Sequence, residues 1–205
     1  SVPRTRIMYG AGVIATELAG PGCCVSKPED GIQMFFGAVE KSPETDEAGK
    51  YLEECFERGG CHASFEDDVR VLLWKKAVTN SGYNAVCAVT RMRLHFAMDN
   101  EWGMKVLMNV WKEGCAVAKA LGVGDIWPLI EGDIANLRAN LGDYYPSMAQ
   151  DAVLHHRQTE IEVLNGAIAM YGERLGIPTP YNSVLADLIR CIQANYDNQY
   201  GEANG

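Results

Sequence analysis

Lys76, Asn80 and Asn84 stand four residues apart in the segment Leu73-Trp-Lys-Lys-Ala-Val-Thr-Asn-Ser-Gly-Tyr-Asn84. On a helix that spacing draws one polar stripe. The rest of the segment asks for burial: Val69, Val71, Leu72, Leu73, Trp74, Ala77, Val78 and Val86. A lysine drawn out of water holds its proton less tightly, so it can donate to a carbonyl oxygen near working pH. Amides beside it can bind the carboxylate or hydroxyl groups of a small substrate. The same spacing also suits the solvated face of an amphipathic helix.

A second polar group lies downstream. Ser147 precedes Asp151, and Thr159-Glu160 follows. A carboxylate near a lysine could orient it or bind substrate hydroxyls. In the plainer reading Ser147 is an N-cap and Glu160 is exposed. Gly10-Ala-Gly-Val-Ile-Ala15 has the spacing of a dinucleotide fingerprint, and Glu29 and Asp30 stand where a ribose-binding acid would. Gly20-Pro21-Gly22 interrupts too soon for a crossover helix. Adjacent residues on a helix diverge, so His155 and His156 make a poor chelate. His62 and His95 lack a partner at ligand spacing, and no metal is expected.

The elements that must carry these groups fall into two regimes. Residues 6–65 read as strand-rich, with strands in 6–18, 23–26, 32–39 and 61–65 around a helix opened by Ser42-Pro43 and closed at Gly59-Gly60. From Glu66 the periodicity is helical, with helices predicted near 66–89, 98–121, 128–140, 148–175 and 183–196. Gly176 and Pro178 end the fourth. Trp74, Trp102, Trp111 and Met98, Met104 and Met108 read as core. The predicted fold class is α+β, mainly α.

Composition excludes several roles. The chain has 205 residues, a formal charge of −9, and 47% hydrophobic against 22% charged residues. That balance builds a substantial core. No Lys/Arg cluster is dense enough to track a phosphate backbone, so nucleic acid is not an expected partner. No apolar run approaches the ~20 residues of a membrane span, and no signal peptide is recognisable. Seven cysteines, with none at CxxC spacing, read as reduced thiols in a cytoplasmic protein.

Taken together these segments resemble the ketopantoate reductase (2-dehydropantoate 2-reductase) family over about residues 12–196. The resemblance rests on Leu73-Trp with Lys76, Asn80 and Asn84, on Pro146-Ser-Met with Gln150-Asp151, on Arg157 with Thr159-Glu160-Ile161, on Asn165-Gly166, and on Gly176-Ile-Pro-Thr-Pro180 with Asn182. It implies an NADPH-binding Rossmann-type domain followed by an all-helical C-terminal domain. On that pattern residues 1–65 are the incomplete second half of the first domain, 66–196 the substrate-binding domain and 197–205 a loose tail. Gly10–Ala15 then falls in a later strand, and the chain lacks the fingerprint.

The implied chemistry is NADPH-dependent reduction of ketopantoate to pantoate, for pantothenate and coenzyme A. In that pattern Lys76 is the general acid and Glu160 the acid that contacts substrate and lysine. Asn80 and Asn84 position substrate, and Ser147 binds its carboxylate. The sequence departs from the family at Leu94, apolar where some members carry a substrate-touching asparagine. It departs again at Tyr144, and the stretch from Asp151 to Glu160 is one residue longer. Another branched 2-oxo acid is therefore an alternative substrate. A non-catalytic helical dimerisation module is the competing class, and the 98–121 helix could support a homodimer.

Overall fold

The computed structural model describes residues 2–14, 16–26, 33–140 and 145–199. Glu29, Asp30, Gly31, Gly142, Tyr144 and the tail from residue 200 lie outside them. The chain divides into two compact units, Ser1–Leu73 and Trp74–Gly205.

In the first unit β1 (Met8–Gly12), β2 (Thr16–Gly20), β3 (Cys23–Ser26) and β4 (Met34–Ala38) precede helix α1 (Pro43–Arg58) and strand β5 (Ala63–Phe65). β1 runs antiparallel to β4, and β4 parallel to β5, in the order β1-β4-β5. β2 and β3 form a separate antiparallel pair. Parallel neighbours need a crossover, and α1 supplies it. Ser42 and Thr45 cap α1 reciprocally, with Pro43 in its first turn, so the start read from the sequence holds. The core is aromatic: Phe36 packs on Phe56 and Phe65 with ring centroids 5.9 and 5.6 Å apart. Glu53 and Glu57 of α1 accept the β5 amides of Phe65 and Ala63 at 2.9 and 3.1 Å. They satisfy donors that β4 does not reach.

The single strand-rich run expected over residues 6–18 is two strands of different sheets. Gly10 lies in β1 opposite Phe36, where an added Cβ would come within 2.1 Å of the Phe35 carbonyl oxygen. The glycine serves close strand packing, and the next described element is strand β2 rather than a helix. A pyrophosphate cradle needs a helix N-terminus there, so Gly10–Ala15 is not one.

The second unit is helical. α2 (Val69–Thr90) crosses the boundary between the units, and α3 (Leu94–Asp99), α4 (Glu101–Ala120) and α5 (Trp127–Asn140) follow. α6 (Ser147–Ala149) continues into a π turn, Gln150–Leu154, and a 3-10 turn covers Ile161–Val163. α7 (Asn165–Leu175) and α8 (Pro180–Ala194) close the unit. Val78, Leu94, Leu107, Trp111, Ile130, Ile161, Ile168 and Ile189 are fully buried or nearly so.

Three expectations are corrected. The helix predicted over 148–175 is broken: residues 155–160 form no helix, and His156 takes φ 50°. The 98–121 helix is parted at Asn100, which caps α4 through Trp102 N and Gly103 N. Periodicity alone cannot register such breaks, because buried residues on both sides keep the helical count. Trp102 is 66% exposed rather than core, whereas Trp111 is buried completely.

All seven cysteines are free thiols. Burial pushes the Cys87 and Cys115 thiols up to about 12, with Asp125 adding to the effect on Cys115. A thiol reagent at about pH 8 should therefore modify exposed Cys23, Cys24 and Cys191 promptly and spare Cys87 and Cys115 until denaturant is added. Prompt modification of all seven, counted by mass spectrometry, would contradict this packing.

Candidate functional site

α2 is buried nearly all round between Val78 and Ala88. Lys76 and Asn80 are half-buried, and Asn84 is 2% exposed. The polar stripe therefore runs from a partly wet end into the interior, which a solvated helix face does not do. The Asn80 side-chain oxygen accepts a short hydrogen bond from the Tyr83 hydroxyl. Next to Lys76, Lys75 pairs with Asp133 of α5 at 2.7 Å; adjacent residues on a helix point in different directions.

The roll of α2 is set by backbone contacts with other helices. The Trp111 indole N–H donates to the Thr79 carbonyl at 3.0 Å. A Cβ on Gly82 would sit 2.2 Å from that indole nitrogen, so glycine is what lets the N–H edge of the ring come so close to the helix. Asn165 Nδ2 donates to the Ser81 carbonyl at 2.9 Å and to Asn182 Oδ1 at 3.1 Å. Asn182 Nδ2 donates onward to the Val110 carbonyl and to Glu113. Glu113 also accepts the backbone amides of Tyr181 and Asn182, both at 3.0 Å. Thr179, the N-cap of α8, offers no side-chain bond, so the Glu113 carboxylate takes over the capping role.

Asn165 and Asn182 belong to motifs singled out in the sequence, and the structure gives them this bracing role. Glu113 was missed. No signal in the sequence points to it: Thr179 before Pro180 reads as an ordinary N-cap, and only the structure shows that its side chain makes no capping bond.

Ser147 opens α6 and is exposed, with Pro146 at the N-cap and no side-chain capping bond. The cap reading of Ser147 does not hold. The π turn that follows closes with His155 N donating to the Gln150 carbonyl. It takes up one residue more than an α turn, in the stretch that the sequence marks as longer by one.

Glu160 is exposed and lies in no regular helix; its carbonyl accepts the amides of Val163 and Leu164. The segment leading to it is held at several points. Arg157 bonds Asp151 through both backbone and guanidinium. The Tyr196 hydroxyl donates to the Arg157 carbonyl, and Gln193 accepts the Thr159 amide. His156 stacks on Tyr196 with centroids 4.8 Å apart. Lys76, Asn80 and Asn84 are thus brought together on one helix. Among the described residues the side chains of Ser147 and Glu160 form no hydrogen bond or ion pair, and no group of three or more His, Cys, Asp or Glu could hold a metal ion.

This geometry accompanies clear likenesses. Residues 68–193 match the family model described as Ketopantoate reductase PanE/ApbA C terminal. A 2-dehydropantoate 2-reductase of Streptococcus pyogenes serotype M1 is 28% identical over 193 residues, which cover 94% of this chain and 62% of that protein. Among solved structures, a D-mandelate dehydrogenase complexed with NADH is 26% identical with a TM-score of 0.83, covering 94% of this chain and 64% of that one. The PanE/ApbA family ketopantoate reductase of Ralstonia eutropha JMP134 is 29% identical with a TM-score of 0.78, covering 93% and 60%. The chain spans less than two thirds of the length of each.

Two substitutions test the bracing. Glu113→Gln puts an N–H donor against the donors at the α8 start and should cost about 2 kcal/mol in urea denaturation. Gly82→Ala forces the Trp111 ring off Thr79 and should cost about 1–3 kcal/mol. Unchanged midpoints would mean that neither contact restrains α2.

Proposed function

The chain belongs to the ketopantoate reductase family, and from this we propose that it forms the substrate-binding and catalytic part of an NADPH-dependent 2-oxo-acid reductase. The substrate we assign is ketopantoate, reduced to pantoate on the route to pantothenate and coenzyme A. The observation that carries the reading is the stripe on α2, in which half-buried Lys76 and Asn80 lead to Asn84 at 2% exposure. An interior amide in line with a lysine suits a ligand better than solvent.

In this proposal Lys76 gives its Nζ proton to the ketone oxygen as that oxygen becomes an alkoxide, and its charge stabilises the negative charge developing there. Asn80 and Asn84 hold the substrate by their amides. Ser147 binds its carboxylate, and Glu160, on its braced segment, contacts substrate and lysine. NADPH, when bound, supplies the hydride. The described residues contain no glycine-rich turn from strand into helix, since Gly10–Gly12 is strand. We therefore assign no residue of this chain to the nucleotide. Residues 1–65 are proposed as the second half of a Rossmann-type domain, 66–196 as the substrate domain and 197–205 as a tail.

Leu94 is fully buried, and it favours a second reading in which the substrate is a different branched 2-oxo acid. A homodimer through α4, where Trp102 is exposed, and a cytoplasmic location are parts of the same proposal. Free cysteines are in keeping with that location; no helix among the described residues is long and apolar enough to cross a membrane.

The test is NADPH oxidation with ketopantoate by the complete protein and its Lys76→Ala variant. We expect activity, and a fall in kcat of about 10²-fold or more in the variant. Lys76→Arg should not restore it, because a guanidinium keeps its proton at working pH. Turnover of another 2-oxo acid but not ketopantoate would select the second reading. Inactivity toward every 2-oxo acid by a folded protein that binds NADPH would leave the non-catalytic module.

A further inference from the structure

Glu160 is carried by a segment without regular structure: residues 155–160 belong to neither helix nor strand. A carboxylate on such a segment is placed only as well as the backbone that bears it. Upstream the segment is tied at Arg157. Its amide donates to the Asp151 carbonyl at 2.9 Å, and its guanidinium pairs with the Asp151 carboxylate at 2.5 Å. Downstream the Glu160 carbonyl accepts the amides of Val163 and Leu164 at 3.1 and 3.2 Å. The stretch between these ties is held by the end of α8 and the turn after it.

Gln193, in the last turn of α8, accepts the Thr159 amide at 2.5 Å. Thr159 is 8% exposed, so that amide has little access to water and relies on the glutamine. Tyr196 opens the 3-10 turn Tyr196–Asn198, and its hydroxyl donates to the Arg157 carbonyl at 2.5 Å. Burial, with the charge of Asp151 adding to it, raises this hydroxyl above the ordinary tyrosine value, so it stays a donor. The tyrosine ring also stacks on His156, with an interplanar angle of 10°. His156 takes φ 50°, a conformation that is costly for a residue other than glycine. The ring contact at His156 and the hydroxyl bond at Arg157 hold the chain through that bend. The turn itself is fastened to α8, since Gln199 donates to the Ile192 carbonyl at 3.1 Å and the Asn198 amide to the Asn195 carbonyl at 3.0 Å.

We propose that Gln193 and Tyr196 are positioning residues for Glu160. The end of α8 clasps residues 156–159, and the clasp presents the Glu160 carboxylate to the substrate and to Lys76. Both residues act through the backbone that bears Glu160, not on the reacting atoms. The proposal rests on the role given to Glu160 under the proposed function.

The test is a double-mutant cycle in the complete protein, read as kcat/KM for NADPH oxidation with the 2-oxo acid it reduces. Glu160→Gln should lose about tenfold or more. Tyr196→Phe keeps the ring and removes only the hydroxyl, and Gln193→Ala removes the acceptor of the Thr159 amide. Each should lose about fivefold. In the Glu160→Gln background neither should lose more than about twofold further, because no carboxylate is left to place. Trypsin supplies a readout independent of turnover. It cleaves after arginine, and Tyr196 holds the carbonyl of the Arg157–Gln158 bond. Tyr196→Phe should speed that cut about fivefold relative to cleavage elsewhere. An unaltered rate of that cut would overturn the clasp and leave the role of Glu160 standing. Unaltered kcat/KM in both clasp variants, beside an impaired Glu160→Gln, would do the same. Equal losses in both backgrounds would make the two residues structural only, which also overturns it. Full activity of Glu160→Gln would remove Glu160 from the reaction, and the clasp with it.

Discussion

The helical unit turns on one carboxylate. Glu113 projects from α4 into the start of α8 and accepts two backbone amides together with the Asn182 side chain. Asn182 then bonds α4 and Asn165, and Asn165 reaches the α2 backbone at Ser81. Four helices are joined through two fully buried asparagines and a half-buried carboxylate. An unmet donor in such a place is expensive, whereas apolar contacts tolerate small slips. The network therefore fixes register and roll, which hydrophobic packing alone specifies loosely.

Its consequence for chemistry lies in α2. Trp111 and Asn165 take hold of consecutive parts of the helix backbone, at Thr79 and Ser81. With those carbonyls committed, the direction in which Lys76, Asn80 and Asn84 leave the helix is settled as well. A positioned lysine matters more to proton transfer than a merely present one, because donor and acceptor must meet within hydrogen-bond reach. The segment before Glu160 shows the same economy of means. It lacks regular structure, yet Asp151, Gln193 and Tyr196 hold it from both sides.

Family membership and substrate are separate matters. Under the proposed function the stripe and its bracing would serve any 2-oxo acid whose head group is the same, and the similar proteins include both a ketopantoate reductase and a D-mandelate dehydrogenase. What differs between such substrates is the body beyond the keto acid, so under the proposed function selectivity would belong to apolar positions such as Leu94 rather than to the lysine.

The sequence by itself determined the class of fold, the Ser42 cap, the Gly176 helix end and the α2 stripe, because each is written in local spacing and in backbone preference. It also carried the family, through several short motifs in order. Tertiary structure decided the rest. Gly10–Gly12 became a strand because β4 lies against it, not because of its glycine spacing. The run 148–175 broke at residues 155–160, where α8 and the segment beyond it supply partners that no neighbour in sequence could. Asn84 proved interior, which spacing cannot report. Glu113 met the start of α8 from 68 residues away. A contact between residues so far apart leaves no periodic trace; it exists only once the helices have packed.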